Sequence, residues 1–285
     1  MLHKFGLNYF NCTRTGLMQR APGLFVIAWA LFCANASLYG QLNESDTAHF
    51  QIRISASGHW QRGNVDYVAL RTRADAVWRI TDGWAFKTQN ASLYQSFSGR
   101  RADNDVNSRN YFYFKPQQRI YPFAMVYGQT NFRRQIIRRL FAGPGLTWQV
   151  CNKPGQVIKL SGSMVYESTR FKQTVYNQPY YNGVQSISLW RPTAYLAGIH
   201  QFQKLKLYYT FYIQPALQPV ANNRIVAEAG IDMALWKGWS FTTQYLYSYE
   251  QVVVSNVKPY DRLLSFGFAY QQQTKAPRAV LAQKP

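Results

Sequence analysis

The chain has 285 residues, a formal net charge of +20 and a mean hydropathy of −0.31, although 47% of its residues are hydrophobic. Apolar residues are plentiful but interleaved with polar ones, and past the N-terminal segment there is no uninterrupted apolar run of about 18 residues, which excludes a helical membrane protein. The basic excess points to anionic partners: nucleic acid, lipid phosphate or small anions.

Residues 1–40 read as a signal peptide. Lys4, Arg14 and Arg20 are its only charges, Leu24 to Phe32 form its apolar centre, and Ala34-Asn35-Ala36 fits a small-x-small cleavage site, with Gly40 as a later alternative. Cys33 follows a bulky Phe32 where a lipidation site wants a small residue, so ordinary Sec export is expected. Export leaves no place for nucleic acid; lipopolysaccharide phosphates and anionic solutes remain. Cys12 and Cys33 depart with the leader, so Cys151 is alone and no intramolecular disulfide can form.

Residues 41–48 form a polar periplasmic lead-in, and residues 49–270 alternate with a period of two, as strands with one apolar face do. The first strand sets Phe50, Ile52, Ile54 and Ala56 against Gln51, Arg53, Ser55 and Ser57. The second sets Val68, Leu70, Ala74, Ala76 and Trp78 against Arg71, Arg73 and Asp75, and Thr81-Asp82-Gly83 turns it. A third strand runs from Trp84 to Phe97, a polar loop spans 98–105, and a fourth strand is the short Tyr111 to Phe114. The fifth carries Tyr121, Phe123, Met125 and Tyr127 on its apolar face.

Arg139 to Glu167 is the clearest hairpin. Leu140, Ala142, Leu146 and Trp148 oppose Arg139, Gly143, Gly145, Thr147 and Gln149; the return strand sets Ile158, Leu160, Met164 and Tyr166 against Lys159, Ser161, Ser163 and Glu167. Pro144 inside it removes a ladder donor and calls for a bulge or rim. After a long loop at 169–183, the eighth strand holds Ile187, Leu189, Tyr195, Ala197 and Ile199, with a bulge expected at Arg191-Pro192 and a turn at His200-Gln201. The ninth alternates Leu205, Leu207, Tyr209, Phe211 and Ile213 with Lys204, Lys206, Tyr208, Thr210 and Tyr212. The tenth has Arg224, Glu228 and Asp232 on its polar face, the eleventh runs from Trp239 to Glu250, and the twelfth is centred on Leu264 to Tyr270. Residues 271–285 read as a polar tail.

Short and long connections alternate, the strand number is about twelve and even, and aromatic residues make up 16% of the chain. These features give an all-β, antiparallel up-and-down transmembrane β-barrel in the outer membrane of a Gram-negative bacterium. Closure is required there because lipid offers no partner to the backbone groups of a free sheet edge.

The charged polar-face residues Arg53, Arg71, Arg73, Asp75, Lys159, Glu167, Lys204, Lys206, Glu228 and Asp232 are expected to line the lumen, either as a salt-bridged plug or as a pore with an anion bias. Arg133, Arg134, Arg138 and Arg139 form a basic rim that could hold lipopolysaccharide phosphate or an accessory membrane protein, since guanidinium forks bind phosphate. Asp103, Asp105 and Asn107 match the first half of a calcium loop, but Ser108 stands where the turn glycine belongs and Phe114 where the closing glutamate does. His59 with Asp103 and Asp105 is the one conceivable hydrolase constellation. A lone histidine with two acids carries little weight, so no enzyme, metal or cofactor is expected.

Gly58-x-Trp60-x-x-Gly63-Asn64-x-Asp66, Ala102-Asp103-Asn104-Asp105, Tyr121-x-Phe123 followed by Arg133-Arg134, and Ala142-Gly143-Pro144-Gly145-Leu146 resemble the salt-induced outer-membrane protein family known as domain of unknown function 481. The likeness covers residues 50 to 170 well and the remainder by strand pattern. It implies an outer-membrane β-barrel without assigned activity and without catalytic residues to carry over. Such proteins end near the last strand, which the barrel-assembly machinery reads; here a tail follows Tyr270.

Overall fold

The computed structural model describes residues 42–63, 66–218 and 220–274; the leader lies outside them. Twelve antiparallel strands run in chain order: β1 (Phe50–Gln61), β2 (Tyr67–Thr81), β3 (Trp84–Phe97), β4 (Arg100–Phe114), β5 (Ile120–Asn131), β6 (Ile136–Lys153), β7 (Gln156–Phe171), β8 (Ser186–Phe202), β9 (Leu205–Gln214), β10 (Arg224–Trp236), β11 (Trp239–Glu250) and β12 (Tyr260–Thr274). Each pairs with its neighbours, and β1 pairs with β12 from Phe50↔Thr274 to Ser57↔Gly267, closing the barrel. Closure leaves no open edge, which is what a spanning sheet needs in hydrocarbon.

The outer face is apolar along the middle of the strands, with Ile54, Leu70, Val126, Leu140, Leu160 and Leu264 exposed. Aromatics ring both ends. Trp78, Trp84, Phe202, Trp236 and Trp239 stand exposed near the short turns, and Trp60, Phe97, Trp190 and Tyr260 near the longer loops. An amphipathic ring is at home at the headgroup level, so this is the surface of a barrel seated in a bilayer.

Several connections differ from the sequence expectation. Only Ser98 and Gly99 join β3 to β4, so residues 100–105 belong to a strand and not to a 98–105 loop. That segment rises past the end of its β5 pairing, at Val106↔Thr130; Arg100, Arg101 and Asn104 are exposed, while Asp103 is buried against Arg133. β8 continues through His200-Gln201 and turns at Gln203-Lys204, so Lys204 occupies the turn and not the polar face of β9. No bulge occurs at Arg191-Pro192. The β7–β8 register runs unbroken through Val165↔Arg191 and Met164↔Pro192, while the β8–β9 ladder begins only at Ala194, where Pro192 owes no donor.

Pro144 sits neither at a rim nor at a bulge. The β6–β7 ladder skips Gly143 and Pro144 without shifting register, and Pro144 pairs with Ala124 on the other side. Close approach there requires glycine: a Cβ on Gly143 would lie 1.9 Å from the Met164 carbonyl oxygen. Residues 271–274 extend β12 and are not tail; the remainder of the expected tail lies outside the described residues.

Two strands turn their apolar face inward. On β5, Tyr121, Phe123, Met125 and Tyr127 are buried inside, while Ile120, Pro122, Ala124 and Val126 face out. On β8, Ile187 and Leu189 point inward as well. Alternation alone cannot orient a strand that is apolar on both faces.

Candidate functional site

The lumen is filled from the polar faces. Near the middle, Arg53 meets Asp232 at 3.0 Å, and Arg73 meets Asp75 at 2.9 Å and also Glu228. Lys206 is buried directly across the ladder from Asp232. Toward the loops, Glu167 accepts from Arg191 at 2.9 Å and Arg224 at 2.8 Å, and Arg139 approaches it to 3.4 Å. Glu250 receives both arms of Arg139, at 2.7 and 2.8 Å, and lies 2.8 Å from Arg134. Buried ions at this density persist only because nearly every one has an opposite charge and hydrogen bonds.

The expected lumen residues are thus brought together, Lys204 excepted, while the expected basic rim divides. Arg134 and Arg139 are buried in the interior network, held by Glu250, Glu167 and Asp261. Arg133 is partly exposed and pairs with Asp103 at 2.6 Å and Asp261 at 3.3 Å. Arg138 alone of the four has no carboxylate partner among the described residues. It faces outward directly opposite the equally exposed Arg170.

Asp103, Asp105 and Asn107 share one face of the extended β4 and do not form a loop that could wrap a cation. Asp105 instead fixes the β5–β6 connection, accepting from Asn131 Nδ2 at 2.6 Å and from the Phe132 amide at 2.9 Å. His59 lies on β1 against the Tyr67 ring, with β2 and β3 between it and these acids, so the hydrolase constellation is not assembled.

The expected lead-in takes a defined course over residues 42–48. They fold into the lumen at the short-turn end, burying Leu42, Glu44, Ser45 and Ala48. Glu44 accepts from Lys159 Nζ at 2.7 Å, Lys87 Nζ at 3.0 Å and the Tyr121 hydroxyl at 2.8 Å. Lys87 also reaches the Leu42 carbonyl at 3.0 Å, Lys159 reaches Asn43 Oδ1 at 2.6 Å, and Arg79 reaches the Asp46 carbonyl. Burial would raise the Glu44 pKa, but the two ammonium groups and their hydrogen bonds outweigh it and hold the carboxyl well below the usual carboxylate range.

Above this plug the lumen has two chambers. The inner one, floored by Glu44, Lys87 and Lys159, offers about 70 Å³ to the centre of a water molecule; the outer one offers about 130 Å³. Arg109, Phe141 and Tyr212 line both, so they mark the waist between the chambers. Arg109 extends from β4 across the lumen to β9, its guanidinium carbon 5.5 Å from the Tyr212 ring centre and 5.6 Å from that of Tyr127. No carboxylate pairs with it among the described residues, nor with Arg71, whose hydrogen bond goes to Ser265 Oγ at 3.2 Å. At the loop end, 172–185 and 251–259 join through Tyr176↔Val254 and cover a cluster of Ile136, Phe171, Tyr181, Ile187, Leu189 and Val252. The outer chamber is walled toward β2–β4 and β12 by Arg71, Ser92, Asp105 and Leu263.

The sequence alone does not reveal Arg109, because the apolar pattern of the fourth strand starts only at Tyr111. Carrying the period of two back through Arg109, Asn107, Asp105 and Asp103 would have placed it on the inner face. Glu44 carried no local signal, since a short polar segment before the first strand has no periodicity to read.

A family model described as a protein of unknown function, DUF481, matches residues 54–271. No curated protein matches the sequence. Among solved structures, the chain is similar to the NanC porin (11% identity, 80% of this chain and 100% of that one, TM-score 0.42). It is also similar to a bacterial polysaccharide outer-membrane secretin (9% identity, 80% and 99%, TM-score 0.40). A third likeness is to the translocator domain of the autotransporter NalP from Neisseria meningitidis (12% identity, 87% and 93%, TM-score 0.39).

Proposed function

Since the chain belongs to the DUF481 family, whose function is unknown, we propose from the geometry that it is a Gram-negative outer-membrane barrel conducting small anions through a narrow lumen, closed at rest by residues 42–48. The observation that carries this reading is the waist. Arg109 stands between two small chambers with no carboxylate partner, where a fixed positive charge in a narrow passage favours anions. A purely structural plug would be expected to neutralise that charge, as it is neutralised at Arg53, Arg73, Arg139 and Arg224. The short-turn end, which carries the plug, faces the periplasm on this reading, and Sec export with assembly by the barrel-insertion machinery brings the protein there. The barrel acts without catalysis, cofactor or nucleic acid.

Planar-bilayer recording of the purified protein in a potassium chloride gradient tests the proposal. A reversal potential of anion-selective sign, which Arg109→Gln moves toward zero, is expected. A cation-selective sign, or no conductance even after the plug is released, would overturn it.

One observation favours a second role, binding of outer-leaflet lipopolysaccharide. Arg138 and Arg170 oppose each other across β6 and β7 on the lipid-facing side, just loopward of the Tyr166–Trp190 pair. Like charges placed opposite one another destabilise a sheet unless an anion bridges them. A lipid phosphate at headgroup level supplies one.

A further inference from the structure

The inner chamber has the chemistry of a ligand site. Its walls are aromatic: Tyr111, Tyr113, Phe123, Phe141, Tyr195 and Tyr212 all face it. Tyr111 and Tyr113 stack at 5.7 Å, and Tyr195 lies beside Tyr212 at 6.3 Å. Of the cations that border the chamber, the lysines are engaged. Lys159 donates to Asn43, Glu44 and Ser45, which uses all three of its protons, and Lys87 donates to Leu42 and Glu44. Arg109 differs. Its guanidinium carbon lies over the rings of Tyr127 and Tyr212, and none of its donors has a hydrogen-bond partner among the described residues. A guanidinium in that state presents its edge to a planar two-oxygen acceptor, which it binds as a fork.

The free volume sets the size. About 70 Å³ open to water centres corresponds to roughly five waters, or ~150 Å³ of liquid, which is the bulk of one small substituted ring. Gln89, Thr147, Ser161 and Gln214 also reach the chamber, but its open surface is mostly apolar, which suits a ring better than a saccharide, and an inorganic ion would leave the aromatic walls unused.

We propose that the inner chamber binds a small aromatic carboxylate of the benzoate class, its carboxylate on the Arg109 edge and its ring among the tyrosine and phenylalanine walls. This names the solute class of the conduit and rests on solutes having access to the lumen.

Isothermal titration of the detergent-solubilised protein with benzoate, acetate and benzyl alcohol tests it, with folding of each variant checked by heat-modifiable gel migration. Benzoate is expected to bind at least tenfold more tightly than acetate or benzyl alcohol, and Arg109→Lys, which keeps the charge but loses the fork, to weaken benzoate at least tenfold. Equal affinity for benzoate and acetate, wild-type affinity in a folded Arg109→Lys variant, or no binding would overturn the site. Conductance of the same preparations separates the two readings. Anion current without benzoate binding leaves the conduit and removes the site, whereas binding without current leaves the site and removes the conduit.

Discussion

Replacing Glu44 by glutamine is expected to undock the segment that closes the short-turn mouth. The carboxylate holds Lys159 at 2.7 Å, Lys87 at 3.0 Å and the Tyr121 hydroxyl at 2.8 Å, all inside the barrel. Breaking a buried ion pair by removing one partner costs about 3–5 kcal/mol. Both lysines keep contacts to the segment through Leu42 and Asn43, which offsets part of that. A net loss of about 2–3 kcal/mol remains, a shift of ~30- to 150-fold toward the undocked state at about 1.4 kcal/mol per tenfold. Single-channel recording should show longer open times in Glu44→Gln, and limited proteolysis should cut residues 42–48 faster. Wild-type gating together with wild-type protection would refute the reasoning. The pH dependence has a definite sign. Because the folded pKa of Glu44 is depressed, its contribution is full above the unfolded value of about 4.3 and is lost only as pH falls through the lower folded value. The wild-type plug should therefore stay docked at pH 5 and above, and acid should release it only well below pH 4 on that scale.

Glu250→Gln removes the carboxylate shared by Arg134, Arg139 and Arg224, and should destabilise the barrel by about 3 kcal/mol, read as a lower temperature for loss of heat-modifiable migration. Gly143→Ala places a Cβ 1.9 Å from the Met164 carbonyl, so β6 and β7 must separate there; a loss of about 1–3 kcal/mol in urea unfolding is expected, and wild-type stability would contradict the close approach. The double variant Arg138→Ser, Arg170→Ser should fold as the wild type does but retain less lipopolysaccharide through purification, measured by native mass spectrometry. Equal retention would remove the phosphate clamp.

The barrel was legible because a membrane imposes a simple rule on sequence. Where only one face is apolar, as in Leu205 to Ile213 against Lys206 to Tyr212, the period of two fixes the lipid side. It failed where both faces were apolar: Tyr121 to Tyr127 read as a lipid face and is a lumen wall. It also failed where neither face was apolar, so residues 100–105 read as loop and form strand. The four-arginine cluster shows a third limit. Arg133, Arg134, Arg138 and Arg139 are nearly contiguous, yet Arg133 and Arg134 lie in the β5–β6 connection while the period of two sends Arg139 inward and Arg138 outward.

By itself, then, the sequence determined that a chain of alternating strands must close on itself in lipid, with many of the charges on its polar faces gathered inside, because backbone satisfaction and side-chain period are local properties. Only the tertiary structure decided which charges cancel. Arg73 on β2 meets Glu228 on β10, Arg139 on β6 meets Glu250 on β11, and Glu44 returns from outside the strands to hold two lysines, whereas Arg109 is left to a pair of tyrosines. Those pairings depend on how far the wall curves and where the waist falls, which is a property of the closed cylinder and of no single strand.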